Sequence, residues 1–159
     1  MTTIAYRDGI LVSDRQTTCG NARQECAKMW SVKGHVVAVA GVLSDGIKFR
    51  DWWRAGKPDA GWCIDHDTTI IVLDTHTGEL VEYDSNMVPM PVYGKFLSWG
   101  SGCDLALGAM EAGADAVQAV TIAMRHDAYT GIGLSIVNIS ENKKVRNYAD
   151  WQHWSSRDL

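Results

Sequence analysis

The sequence predicts an α+β fold in which mainly antiparallel sheets carry helices on their faces. Three observations support this. Elements alternate in blocks, in the order strands, helix, strands, two helices, strands. Short turn signals join successive strands, as in hairpins rather than βαβ crossovers. One run, HVVAVA at His35 to Ala40, is almost wholly apolar, as a strand buried on both faces would be. Two sheets packed together under helices would bury that strand and the helix faces at once.

Each element follows from local chemistry. Between Thr2 and Asp14, the runs TTIAYR and ILVS flank Asp8-Gly9, which tolerates the positive φ of a tight hairpin turn. Thr17 to Asn21 is small and polar and suits an exposed loop or a short further strand. Cys26 to Val32 and His35 to Ala40 form the next expected pair, joined at Lys33-Gly34. Ser44 is placed to cap a helix reaching about Ala55, with Leu43, Ile47 and Trp52 on one face; Gly56 and Pro58 end it. Lys57 to Asp67 is irregular. Thr68 to Asp74 and the run after Thr77-Gly78 predict another hairpin, and Pro89 and Pro91 precede an expected strand at Val92 to Trp99. Helices follow at about Asp104 to Ala112 and Asp115 to His126, the first ended by Gly113 and the second capped by Asp115. Leu105, Ala109 and Ala112 share one face, and Ala116, Val120, Ala123 and Met124 another. Strands at Gly131 to Ile139 and about Lys143 to Tyr148, then a Trp-containing tail, complete the chain. With no linker, repeat or low-complexity tract, residues 1–159 read as a single domain.

Composition narrows the functional classes. The net charge is −4 and no Lys/Arg stripe is present, so nucleic-acid binding has no electrostatic support. No apolar run approaches the roughly 20 residues of a membrane span. The start lacks the basic and apolar segments of a signal peptide, so a cytoplasmic location is expected. The four cysteines form no CxxC pair and are expected as reduced thiols. Cys63, His66 and His76 match no recurring zinc pattern, so neither metal nor cofactor is expected. The seven tryptophans read as core and subunit-contact bulk. There is no Walker A loop, HExxH, EF-hand loop or nucleophile elbow, and Gly100-Ser101-Gly102 alone reads as a tight turn.

The informative pattern is distributed. TTI opens the chain, SDRQTT and GN follow the first hairpin, and AKMW begins the next strand. AVAG ends a strand with Asp45 beyond it, WGSG precedes the helical pair and HDAYTG follows it. Together, in this order over nearly the whole chain, these resemble the proteasome β-subunit family. They are most similar to its bacterial branch, the ATP-dependent protease subunit (HslV-like) that partners a ring ATPase.

The resemblance implies the N-terminal nucleophile (Ntn) hydrolase fold, a four-layer αββα sandwich of two antiparallel sheets, and a threonine-type endopeptidase. Its nucleophile would be Thr2 once Met1 is removed. A Thr hydroxyl is a weak nucleophile needing an adjacent base, and only the first residue of a chain offers a hydroxyl and a free α-amine together. By family position Asp14 and Lys28 form a charged pair beside Thr2, Gly41 offers a backbone N–H to the oxyanion, and Ser101, Asp127 and Thr130 surround the terminal amine. Thr17, Cys26, Val39 and Leu43 are expected to line a modest, largely apolar specificity pocket without a buried charge. Thr3 is expected as a structural neighbour and His126 as a helix-end residue. A peptide or unfolded-protein substrate, a homo-oligomeric ring and a ring ATPase unfoldase are the implied partners.

Between Gly41 and Thr68 the family has room for two long helices, whereas this chain offers one and an irregular segment. One helical layer is therefore expected to be reduced, and the loop from Asn21 to Lys28 to be short. Two other functions compete: a structural or assembly protein keeping the fold with Met1 in place, and a small-molecule amidase of the same superfamily.

Overall fold

The computed structural model describes residues 1–58, 61–141 and 143–148; the Trp-containing tail lies outside them. The strands are β1 (Thr3–Arg7), β2 (Ile10–Asp14), β3 (Gln16–Cys19), β4 (Ala22–Glu25), β5 (Met29–Val32) and β6 (His35–Ala40), then β7 (Thr69–Asp74), β8 (Leu80–Tyr83), β9 (Pro89–Val92), β10 (Phe96–Gly100), β11 (Leu134–Asn138) and β12 (Arg146–Tyr148). The helices are α1 (Leu43–Arg54), α2 (Cys103–Glu111) and α3 (Ala116–His126). One sheet has the order β10-β1-β2-β11-β12 and the other β5-β6-β7-β8-β9, while β3 and β4 form a separate ribbon. Every recorded pairing is antiparallel. This is an α+β sandwich.

Strand alternation builds the layers. Ile4, Leu11, Val36, Ala38, Ile71 and Val137 meet in the core between the two sheets. Their neighbours Ala5, Val12 and Ile136 turn outward to pack under α2 and α3. Val37, Val39, Ile70 and Val72 turn outward from the other sheet, against Phe49 and Trp53 of α1. Among the described residues, two helices thus cover one sheet and a single helix covers the other. Apolar contact on both faces explains why β6 has almost no polar residue.

Several expectations need correction. Ser44 does not cap α1: the N-cap is Val42, which makes no side-chain cap bond, and Ser44 lies exposed in the first turn. Val42 N–H instead donates to Thr68 Oγ1 at 2.9 Å, and Asp65 N–H to the buried Asp45 carboxylate at 2.8 Å. These bonds tie the irregular segment to the helix start. The buried face of α1 is Asp45, Gly46, Phe49 and Trp53, whereas Ile47 is exposed and Leu43 and Trp52 are only partly covered. In α2 the buried residues are Ala106 and Met110, with Leu105 and Ala112 exposed. The capping box at Asp115 is present, with Gln118 N–H donating to Asp115 at 2.7 Å.

The expected strand at Val92 to Trp99 is two strands in different sheets, β9 and β10. Pro89 and Pro91 lie within β9, an edge strand, where a missing N–H leaves no ladder bond unmade. The pair expected from Cys26 starts only at Met29, because Ala22 to Glu25 pairs with β3.

Candidate active site

The chain enters at one end of the gap between the sheets. Thr2 is buried, two residues before Ile4 of the inter-sheet core. Its carbonyl accepts from Ser101 N–H at 2.8 Å, which ties the start of the chain to the β10–α2 junction. That approach requires glycine at position 100, where φ is +94° and a Cβ would overlap the Thr2 carbonyl oxygen.

On one side of Thr2 lies a buried ion pair. Lys28 Nζ sits 3.0 and 3.1 Å from the two Asp14 oxygens and donates to the Met1 carbonyl at 2.8 Å. Asp14 also accepts from the N–H groups of Thr3, Gln16 and Gly131 at 3.0–3.1 Å, so its lone pairs are well used. Burial pushes the Asp14 carboxyl above its ordinary value, against the pull of Lys28 and of the Thr3 and Gly131 N–H groups. Burial likewise pulls the Lys28 ammonium down, with Asp14 opposing. The α-amine of Met1 is lowered by burial and then by Lys28.

On the other side runs a chain of hydroxyls. Asp127 caps the C-terminal end of α3, and its Oδ2 accepts from Ser101 Oγ at 2.6 Å and from Thr130 Oγ1 at 2.5 Å. Thr130 has one hydroxyl hydrogen, so Thr3 Oγ1, 2.6 Å away, donates to it. Burial opposes ionisation of Asp127, yet these hydroxyls and the Tyr129 N–H outweigh it, and the pKa falls. The partners explain how a carboxylate is tolerated at a helix C-terminus.

Two cavities flank Thr2. One, of about 200 Å³, is walled by Met1, Thr2, Thr17, Thr18, Lys28, Val39, Gly41 and Leu43. The other, of about 300 Å³, is walled by Met1, Thr2, Ala40, Gly41, Asp67, Thr69, Gly100 and Ser101. Gly41 belongs to both. Its φ is +127° and a Cβ there would stand 2.5 Å from the Asp67 carbonyl, so the strand end can approach the loop only as glycine.

Every residue expected at the catalytic centre is therefore at this end of the sandwich. The pocket differs from expectation in two ways. Cys26 is not in its wall: its N–H is tied to Arg15 O at 2.8 Å and its thiol is hydrogen-bonded with the Thr17 side chain. The wall is also more polar than expected, because three threonines and Lys28 contribute to it. Sequence reasoning missed Thr18, Gln16 and Gly131. It also left Thr3 outside the site, although its Oγ1 lies 2.6 Å from Thr130 Oγ1 and joins the hydroxyl chain. His126 is an exposed helix-end residue. Cys63, His66 and His76 do not converge; among the described residues the converging ligand atoms are those of the exposed Asp65, His66 and Asp67. Also among the described residues, no helix is long and apolar enough to cross a membrane.

No family model and no curated protein matches the sequence. Solved structures do match. The chain is similar to Thiobacillus denitrificans BPH at 17% identity and a TM-score of 0.63, over 89% of this chain and 99% of that one. The same protein in complex with epoxomicin matches at 17% identity and a TM-score of 0.65, over 92% and 98% of the two chains. The likeness supports a proteasome-like fold.

Proposed function

We propose that this chain is a threonine-type endopeptidase of the Ntn-hydrolase class, with Thr2 as its nucleophile once Met1 is removed. The observation that carries the reading is convergence. Thr2 stands between two cavities, with the Asp14–Lys28 pair on one side and the Ser101–Asp127–Thr130 hydroxyl chain on the other. The likeness to a protein that binds epoxomicin adds to it.

In this reading the freed Thr2 amine takes the hydroxyl proton as Oγ1 attacks a peptide carbonyl. The Lys28 ammonium favours the neutral amine and the developing negative charge on Oγ1. Gly41 N–H donates to the oxyanion, and a fixed donor of this kind is typically worth ~10²–10³ in turnover. The protonated amine passes its proton to the departing nitrogen. A water, deprotonated by the same amine, then attacks the ester carbon, and Thr2 Oγ1 leaves with that proton. Asp127, through Ser101 and Thr130, orients the groups around the amine. The cavity beside Thr17, Val39 and Leu43 would take a small or medium side chain.

Intact mass after expression in a cell with methionine aminopeptidase tests the first condition. Loss of Met1 is expected, followed by addition of one epoxomicin per chain; an epoxyketone reacts with both the hydroxyl and the amine of an N-terminal Thr. Thr2→Ala should abolish peptide hydrolysis and Thr2→Ser should retain part of it. Equal hydrolysis by all three chains would refute Thr2 as nucleophile.

A non-catalytic assembly protein is the second reading, and one contact favours it: Lys28 is bound to the Met1 carbonyl. A population that wholly keeps Met1 would sink the catalytic reading and leave this one. Assembly as a homo-oligomeric ring fed by a ring ATPase in the cytoplasm belongs to the first reading. A monomer by light scattering would point instead to an amidase acting outside a chamber.

A further inference from the structure

The other end of the same sheet carries a different chemistry. Gly41 follows one end of β6 and His35 begins the other, so the two ends lie roughly 20 Å apart at strand rise. Around His35, three turns meet: Lys33-Gly34 between β5 and β6, Thr75-His76 after β7, and Lys143-Lys144 before β12. They enclose a cavity of about 350 Å³ lined by Lys33, His35, His76, Lys143 and Lys144 together with Ser31, Val32, Gly34 and Thr75.

Its charge is one-sided. The chain as a whole carries −4, yet among the described residues no carboxylate lines this cavity. Among the described residues, none of the three lysines forms an ion pair. Asp74 lies beside the cavity but is occupied by His76 N–H at 2.7 Å and Thr77 N–H at 3.1 Å, with His35 Nε2 3.7 Å from its other oxygen. Like charges held together in a concavity repel, and an anion in their midst relieves that repulsion.

The walls are also built. Thr75 N–H and Oγ1 both donate to Gly34 O, at 3.0 and 2.7 Å, locking two turns together. Val145 N–H donates to Ser31 Oγ at 2.9 Å and holds the lysine-bearing turn to β5. Lys143 Nζ lies 3.3 Å from His76 Nδ1; lysine only donates, so Nδ1 accepts and the ring keeps its hydrogen on Nε2. Lys33 itself adopts φ +48°, a turn position that Asn, Asp or Gly fills with less strain. A cation therefore occupies a site where local preference asks for another residue.

We infer that this cavity binds a compact, multiply charged phosphate chain of di- or triphosphate size. The donor set decides the class. Lysines act as point charges suited to clustered phosphate oxygens, and among the described residues the lining has no arginine fork to match a planar carboxylate. Among the described residues it also has no Phe, Tyr or Trp ring on which a base could stack.

Calorimetric titration of the full chain with sodium tripolyphosphate, pyrophosphate, citrate and ATP tests this. One tripolyphosphate per chain is expected, with pyrophosphate weaker, citrate weaker still, and ATP within about threefold of tripolyphosphate. Lys33→Asn with Lys144→Gln should weaken tripolyphosphate binding about tenfold or more, the scale of one charge-assisted contact. Asn suits the turn, so the melting temperature should not fall. Lys48→Gln with Lys95→Gln, which removes the same charge elsewhere, should change affinity less than twofold. No binding, equal weakening by both pairs, citrate tighter than tripolyphosphate, or ATP tighter by more than tenfold would each overturn the assignment.

Discussion

Asp14 and Lys28 form a buried pair whose two members depend on each other. Taking either charge out of water is unfavourable, and only the mutual contact and the backbone N–H groups around Asp14 compensate. Lys28→Met would leave a carboxylate buried against three N–H groups alone. It should lower unfolding stability by about 3–5 kcal/mol. Adding Asp14→Asn should recover part of that loss, since neighbours in one network are not additive. Urea denaturation of the two singles and the double checks this; a single-variant loss under about 1 kcal/mol would mean the pair contributes nothing special.

Among the elements, the helical hairpin sets the distance between α3 and the start of the chain. Asp115 caps the start of α3 through a capping box with Gln118, and Asp127 at its other end accepts from Ser101 Oγ at 2.6 Å. Asp115→Ala removes the cap and should cost about 1 kcal/mol. Thermal melting reads the loss. A peptide-hydrolysis rate that stays within a few-fold of the parent would place Asp115 in stability alone, which is what its distance along α3 from Asp127 predicts.

At the scale of the whole molecule, groups from several elements act on one amine. Lys28, Asp14 and Asp127 all bear on the Met1 α-amine, with burial and then Lys28 as the stronger influences, and the net effect lowers it from 8.0. After Met1 is lost the amine belongs to Thr2, which shares a cavity wall with the same lysine. Only the neutral amine can accept the hydroxyl proton, so the rate should rise with pH through the amine pKa. The acid limb of kcat/KM is therefore expected below 8.0. A midpoint above that value would contradict the burial of the amine.

Much of the fold is legible in the sequence. The hairpins announced themselves through Asp8-Gly9, Lys33-Gly34 and Thr77-Gly78, because turn residues act locally. The Asp115 cap was legible for the same reason. The face of α1 is not legible, because Ile47 and Trp52 look apolar in isolation, while burial is decided by where β6 and β7 meet the helix at Phe49 and Trp53. β9 and β10 merged in the sequence because nothing local says that one chain run serves two sheets.

The sequence by itself determined the α+β class and the block order of strands and helices, and it supplied Thr2, Asp14, Lys28, Gly41, Ser101, Asp127 and Thr130 as candidates. Tertiary structure alone decided that Thr3 joins the hydroxyl chain, that Cys26 leaves the pocket wall, that Lys28 makes that wall polar, and that three lysines and two histidines gather at the far end of β6. The division has one physical cause. Turn, cap and strand preferences depend on neighbours in sequence, whereas contacts between Thr3 and Thr130 or Lys33 and Lys143 depend on how two sheets stack.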